Sequence, residues 1–267
     1  VAGADRLTYL HALATQAFDR LAPGKATEAL ILSPQGHIEH AFAGVDDGTA
    51  FLAYTQAGAG RALADFLDSM RFMLRVEVTV VTELAVVHEA GGGGDGQLLG
   101  RELLVPRAEL TSYASEHPSA PSGTWALEAL RIASGRPRVG VDSDHKSIPN
   151  ELGLLGSAVH LDKGCYRGQE TVARVHTLGR PPRRLTLLHL DGSADRLPLP
   201  AAEVTAEGRR VGFVGSSARH HELGPIALAL VKRNVPVDVT LLADGVAAAQ
   251  QPVVDPDIGL HVRPALR

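Results

Sequence analysis

Apolar residues recur at three- and four-residue spacing in four stretches, which is the pattern of helices with one buried face. The first stretch runs from Arg6 to Arg20 and the second from Arg61 to Arg71. The others run from Arg107 to Glu116 and from Thr124 to Ala133, the latter ending at Ser134-Gly135, a common helix C-terminus. The pattern predicts a helix over each of these ranges.

Shorter apolar runs bounded by Gly, Pro and Asp predict strands. Glu28 to Leu32 and His37 to Ala43 flank Ser33-Pro34-Gln35-Gly36, and this turn chemistry predicts a hairpin. Phe51 to Tyr54 predicts a further strand, and so does Leu74 to Val81 with its near-alternating valines.

The strongest interruption in the pattern is Gly179-Arg180-Pro181-Pro182. Short strands alternate with turns beyond it, which is typical of a small antiparallel barrel or sandwich. We therefore predict two domains, over residues 1–178 and 183–267. The predicted barrel strands are Leu185 to Leu190, Arg210 to Val214, Ile226 to Val231 and Val237 to Leu242.

Two glycine-rich segments do not predict nucleotide binding. Gly91 to Gly96 has little to bury, so we expect a flexible loop there. Gly58-Ala59-Gly60 lies between a predicted strand and a predicted helix, but Leu63 stands where the dinucleotide motif needs a small third residue. A plain strand-to-helix turn is the better interpretation.

Composition limits the class of protein. The 267 residues are 45% apolar and 21% charged, with a net charge of −4, which describes a globular chain without the basic field that direct nucleic-acid binding needs. The longest apolar run, Pro225 to Val231, is far below the roughly 18 residues of a membrane span. No secretory signal is recognised at the start, and Val1 opens as if a strand were already running. We therefore expect a cytoplasmic protein whose natural chain begins before Val1.

The single cysteine, Cys165, excludes an intramolecular disulfide and a self-contained zinc or iron–sulfur site. It follows a glycine at the expected start of a helix that runs to about His176, and free N–H groups at a helix N-terminus stabilise a thiolate. Lys163 and Arg167 would add to this effect if they turned toward the sulfur. The residues also allow a small buried apolar cysteine, or a Cys–His pair with His176 or His160 as the base.

The segment from Lys163 to Arg174, Lys-Gly-Cys-Tyr-Arg-Gly-Gln-Glu-Thr-Val-Ala-Arg, resembles the signature of the YgfZ family. These folate-binding proteins are similar in fold to the aminomethyltransferase, or T-protein, of the glycine cleavage system. The likeness extends over nearly the whole chain. Further segments that resemble the family are Gly3-Ala4-Asp5-Arg6-Leu7, Leu130-Arg131-Ile132 with Gly135-Arg136-Pro137, Ile148-Pro149-x-Glu151 and Arg183-Arg184-Leu185.

The resemblance implies an α+β, aminomethyltransferase-like fold of several subdomains with a C-terminal antiparallel β-barrel. It implies tetrahydrofolate or a derivative in a central channel. It also implies a role in assembling or repairing iron–sulfur clusters, chiefly [4Fe–4S], as an accessory protein rather than a turnover enzyme. The partners implied are folate and iron–sulfur client enzymes or assembly proteins. Since one thiol cannot hold a cluster, any transient cluster would be shared with a partner.

Carried onto this sequence, the resemblance makes Cys165 the functional thiol. The other residues that it implies at the thiol are Lys163, Gln169 and Glu170, with the motif residues Gly164, Tyr166, Arg167 and Gly168. The resemblance places aromatic stacking near Trp125, and we predict folate contacts at Trp125 and at Arg131 and Arg174 of the basic region, with no metal site. The basic residues of this region suit either a solvated face with pairs such as Glu170–Arg174, or attraction of a carboxylate-bearing ligand or acidic partner.

Two departures from the T-protein pattern argue against glycine-cleavage chemistry. Gly36-His37-Ile38-Glu39-His40 stands where the T-protein hairpin carries an acid needed for aminomethyl transfer, and Ala133 stands at its pterin-binding acid. A tetrahydrofolate-dependent aminomethyl or one-carbon transferase is therefore the alternative function. His37 and His40 point to opposite faces of a strand, which makes them poor joint metal ligands.

Overall fold

The computed structural model describes residues 1–89, 101–117 and 121–261. The predicted glycine loop Gly91 to Gly96 lies outside these residues. The described residues divide into two compact units, one comprising residues 1–80, 138–184 and 253–261 and the other residues 81–89, 101–117, 121–137 and 185–252. The predicted division into 1–178 and 183–267 stays a prediction.

The first unit contains a three-stranded antiparallel sheet in the order β1–β2–β3. Its strands are β1 (Ala26–Leu32), β2 (Ile38–Asp46) and β3 (Phe51–Tyr54), which confirms the predicted hairpin and the strand after it. Register pairs Ala29 with Phe42 and Val45 with Leu52. The hairpin turn at residues 33–36 becomes part of the site described below.

The predicted strand Leu74 to Val81 is not formed. Within this range only Glu77 makes a ladder pair, with Ala2, by two backbone hydrogen bonds of 2.9 and 3.0 Å. A strand needs a partner along its length, and a single pair leaves Val80 and Val81 nearly half exposed. The alternation of valines is therefore not sufficient to form a strand here.

The helices of the first unit are α1 (Arg6–Leu13), α2 (Gly60–Ser69) and α5 (Gln169–Leu178). The α2 prediction is confirmed, but α1 ends at Leu13 rather than Arg20. Thr15 explains this end, because its hydroxyl donates to the Ala158 carbonyl and accepts from Leu30 N–H, while its own N–H donates to the Leu30 carbonyl. These hydrogen bonds hold the chain after α1 against β1, and only a short 3-10 turn, Phe18–Arg20, follows.

The core of the first unit lies between the sheet and the helices. It is rich in aromatic rings: Phe18 meets Phe51 edge-on at 5.2 Å and Phe42 at 6.1 Å between ring centroids. Such contacts add to the burial of apolar area. The other buried members are Tyr9, Leu10, Ala14, Ala29, Ile31, Leu63, Leu67 and Val76.

The second unit contains a closed barrel of six strands in the order β10–β11–β6–β9–β8–β7, which confirms the predicted barrel. The barrel strands are β6 (Arg183–Leu190), β7 (Glu203–Ala206), β8 (Arg209–His220), β9 (Gly224–Lys232), β10 (Leu241–Ala243) and β11 (Val246–Pro252). The unit also holds the pair β4 (Leu84–Glu89) and β5 (Arg101–Pro106), and the helices α3 (Leu110–Glu116) and α4 (Thr124–Ala133). The helix predicted from Thr124 to Ala133 is confirmed, and α4 packs against β8 and β9. The whole is an α+β fold.

No helix in the described part of the chain combines the length and the apolar composition that a bilayer span requires.

Candidate functional site

Cys165 is exposed on the loop that leads into α5. The helix begins at Gln169, so the thiol lies four residues before its first residue and not at its N-terminus as predicted. Gly168 causes this offset, because it takes the left-handed conformation (φ +80°) at the helix cap. The loop therefore presents the thiol ahead of the helix.

Gly168 and Gly36 bring the loop onto the β1–β2 hairpin. A Cβ at Gly168 would lie 2.4 Å from the Ser33 carbonyl oxygen and 2.9 Å from Gly36 Cα. Gly36 is also left-handed (φ +83°), and a Cβ there would lie 2.7 Å from Thr171 Cβ. The two glycines thus permit a backbone contact that no larger residue would allow.

Lys163 anchors the other end of the loop. Lys163 is 8% exposed, and its ammonium group donates to the carbonyl oxygens of His11 and Ala14 at the end of α1 and of Gln16 just beyond it, the last two at 2.6 and 3.3 Å. His11 lies in the last turn of α1 and Ala14 is its C-cap, and a cation is favoured at this end of a helix. Burial lowers the pKa of Lys163 to about 8. The ammonium group of Lys163 is therefore held at the end of α1, and its Nζ lies 5.2 Å from the centroid of the Tyr166 ring.

Arg167 is held by a residue of β2. Its Nη1 donates to Glu39 Oε2 at 2.8 Å and its Nη2 to Oε1 at 3.5 Å. The guanidinium lies 6.0 Å from the centroid of the Phe66 ring, which lies 5.3 Å from the ring of His40. From the sequence, Glu39 was noted only within the hairpin stretch that carries a catalytic acid in the T-protein. Its ion pair with Arg167 was not predicted.

The remaining motif residues differ in how far the protein surrounds them. Gly164 is exposed, and a Cβ there would meet nothing within 4 Å. Burial raises the pKa of Tyr166 to about 12. Gln169 and Glu170 stand in the first turn of α5, where negative charge is favourable.

A Cys–His pair is not formed among the described residues. His160 Nδ1 instead accepts from the Asp162 N–H at 3.2 Å, and His176 Nδ1 is buried without a partner. In the part of the chain that the structure describes, no group of three or more His, Cys, Asp or Glu side chains is placed to hold a metal ion.

The three residues predicted to bind folate differ in what they offer. Trp125, at the start of α4, is 85% exposed. Arg131 is buried, and its guanidinium donates to Glu128, to the Arg136 carbonyl and to Ser216. Arg174 is exposed on α5 and does not pair with Glu170, contrary to one expectation. Trp125 and Arg131 belong to the second unit and Arg174 to the first.

Arg183 forms an ion network that sequence reasoning did not anticipate. Its Nε donates to Glu151 Oε1 at 2.8 Å and its Nη1 to Asp144 Oδ2 at 2.7 Å. The Glu151 side chain is 1% exposed and also accepts from the Ile148 N–H at 3.2 Å. Glu151 and Arg183 both lie in segments that resemble the family, but the sequence did not predict an ion pair between them.

Comparison with known proteins supports the resemblance. No protein-family model matches the chain. It is 25% identical to a putative chloroplastic transferase of Arabidopsis thaliana over 81% of its length and 58% of the relative's. It is 32% identical to the tRNA-modifying protein YgfZ of Edwardsiella ictaluri over 46% of its length and 37% of the relative's.

A third relative is the aminomethyltransferase of a Nostoc species, 30% identical over 62% of this chain and 43% of that protein. The chain thus spans less than two thirds of the length of each of these three relatives.

Among solved structures, the glycine cleavage aminomethyltransferase T of Bartonella henselae matches with a TM-score of 0.74, over 92% of this chain and 80% of that one, at 18% identity. This likeness shows the fold. The chain is also similar to two YgfZ proteins of Aliivibrio fischeri strains, at 28% and 30% identity, over 49% of its length in each case.

Proposed function

We propose that this protein binds tetrahydrofolate and acts in the assembly or repair of iron–sulfur clusters, with Cys165 as its functional thiol. The observation that carries the proposal is an exposed thiol, on a loop anchored on both sides, within the segment that resembles the YgfZ signature. Exposure suits a thiol that meets a partner, because a structural cysteine is commonly buried.

Of the three residues predicted to bind folate, Trp125 has an exposed indole that can stack on an aromatic ring of the ligand. Arg174 belongs to the other unit, and its exposed guanidinium is a group that suits a carboxylate. Arg131 fits less well, because its donors already serve groups of the protein. When bound, the folate would supply a carrier for one-carbon units.

The thiol can contribute one ligand to an iron–sulfur cluster, which usually has four. No second cysteine exists in the sequence. The proposed action is therefore a transient one, in which client or assembly proteins supply the remaining ligands. Arg167 and Lys163 would fix the loop while Cys165 engages the partner.

Folate binding can be measured through Trp125, because it is the only tryptophan of the chain. We expect tetrahydrofolate to quench its fluorescence under anaerobic, reducing conditions. In calorimetry, Trp125→Leu should weaken the affinity by about tenfold, the loss of one stacking contact. Lys25→Met, an exposed change elsewhere, serves as the control. Equal affinities of wild type and Trp125→Leu would contradict the assignment of Trp125.

The thiol's role can be measured as aconitase activity, which needs a [4Fe–4S] cluster, in cells from which the gene has been deleted. Wild type should restore the activity, and Cys165→Ser should leave it near the level of the deletion strain. The control is Ser157→Ala, an exposed change in the same unit. Full rescue by Cys165→Ser would refute the thiol's role. Turnover of an aminomethyl donor, with no iron–sulfur defect in the deletion strain, would instead support the transferase.

A further inference from the structure

Two cations of the motif, Lys163 and Arg167, flank the thiol in sequence, and they lie in different surroundings. Lys163 faces the carbonyl oxygens at the end of α1 and is buried there. Arg167 lies near the surface, with about a third of its side chain exposed, and pairs with Glu39. Only Tyr166 lies between Cys165 and Arg167 in the sequence, so the Cα atoms of Cys165 and Arg167 are at most about 7 Å apart. Arg167 is therefore a cation whose field can reach the thiol.

We propose that Glu39 sets the charge felt by Cys165, because it neutralises and orients Arg167. Glu39 is a positioning residue in this arrangement, and it acts on the thiol only through the guanidinium. The two contacts from one guanidinium, at 2.8 and 3.5 Å, hold Arg167 against β2. The Phe66 ring adds a second contact at 6.0 Å, within the range of a cation–π interaction.

The biological meaning of this inference rests on the proposed function, since it concerns the same thiol. The effect of the two charges on the thiol does not depend on that function. Removing Glu39 leaves an unneutralised cation near Cys165, and removing Arg167 leaves an unneutralised carboxylate. A cation nearby favours the thiolate, which is the reactive form, and an anion disfavours it. The two single substitutions should therefore act in opposite directions.

The test is the rate at which iodoacetamide alkylates Cys165, the sole thiol, at pH 7 and low salt. Glu39→Gln should raise the rate about two- to threefold and Arg167→Gln should lower it by a similar factor, which is the effect of one unit charge acting from roughly 8 Å away in a water-like medium. The double variant Glu39→Gln/Arg167→Gln should return close to wild type. In 1 M salt the differences should largely disappear, because screening then acts within about 3 Å.

Loss of structure would not reproduce this pattern, since it moves both single variants the same way and resists salt. Arg61→Gln is the control, because it breaks the exposed Arg61–Asp65 pair of the same unit and should leave the rate unchanged. Rates that move together, or that do not move, would overturn the inference. The assay needs no client enzyme, so failure of the aconitase rescue would refute the proposed function and leave this result intact.

Discussion

Replacing Gly168 with alanine is expected to destabilise the protein by about 3 kcal/mol or more. Two costs combine. A left-handed φ of +80° costs a residue with a Cβ about 1 kcal/mol or more. The new Cβ would also lie 2.4 Å from the Ser33 carbonyl oxygen, and forcing apart packed backbone adds about 1–3 kcal/mol. Urea unfolding, followed by circular dichroism, measures the sum.

Two other glycines separate these costs. Gly24 has a φ of +78° with nothing within 4 Å of its Cβ position, so Gly24→Ala carries the conformational cost alone. Gly164 has no left-handed conformation and no neighbour within 4 Å, so Gly164→Ala should change stability little. If Gly168→Ala costs no more than Gly24→Ala, the loop does not pack on the hairpin as described.

Local patterns predicted the elements that need only local information. The β1–β2 hairpin, α2 and α4 have turn or cap residues beside a clear apolar period, and all three are confirmed. The spacing of strands and turns predicted a barrel or a sandwich, and the family resemblance implied the barrel that the structure contains. Nothing in these segments competes with the local signal.

The predictions that failed depended on distant residues. The continuation of α1 is replaced by contacts of Thr15 with Leu30 and Ala158, which no local window contains. The strand expected from Leu74 to Val81 finds a partner only at Ala2. Apolar periodicity predicts which side chains of a segment can be buried. Whether a strand pairs, or where a helix ends, also depends on the distant residues that the segment contacts in the fold.

The site follows the same division. The motif identified the loop and its thiol, but it could not say which way its cations turn. Lys163 faces the end of α1 and Arg167 faces Glu39, which is more than a hundred residues away in sequence. The Cys165 loop is therefore built by tertiary contacts, and the charge at the thiol cannot be counted from its neighbours in sequence.

Replacing Arg183 with methionine is expected to cost about 3–5 kcal/mol at pH 7, because it leaves the buried Glu151 carboxylate without its cation. Asp144 adds a pH dependence. Burial alone would raise the pKa of Asp144, but hydrogen bonds from Arg183 and its charge outweigh burial and lower the pKa to about 2. Since the folded pKa is below the ordinary 3.8, this stabilisation is complete above about pH 4 and is lost as the pH falls toward 2.

The difference in unfolding free energy between wild type and Arg183→Met should therefore be largest near neutral pH and shrink as the pH falls from 4 to 2. Urea titrations at several pH values measure this difference, because urea carries no charge and does not screen the network. Arg61→Met, which removes an exposed pair, should cost at most about 1 kcal/mol. A deficit for Arg183→Met as small as that, or one that stays constant down to pH 2, would show that the network does not stabilise the fold through its charges. A large deficit that shrinks in acid would show that Arg183 holds residues 144 and 151 by charge as well as by packing.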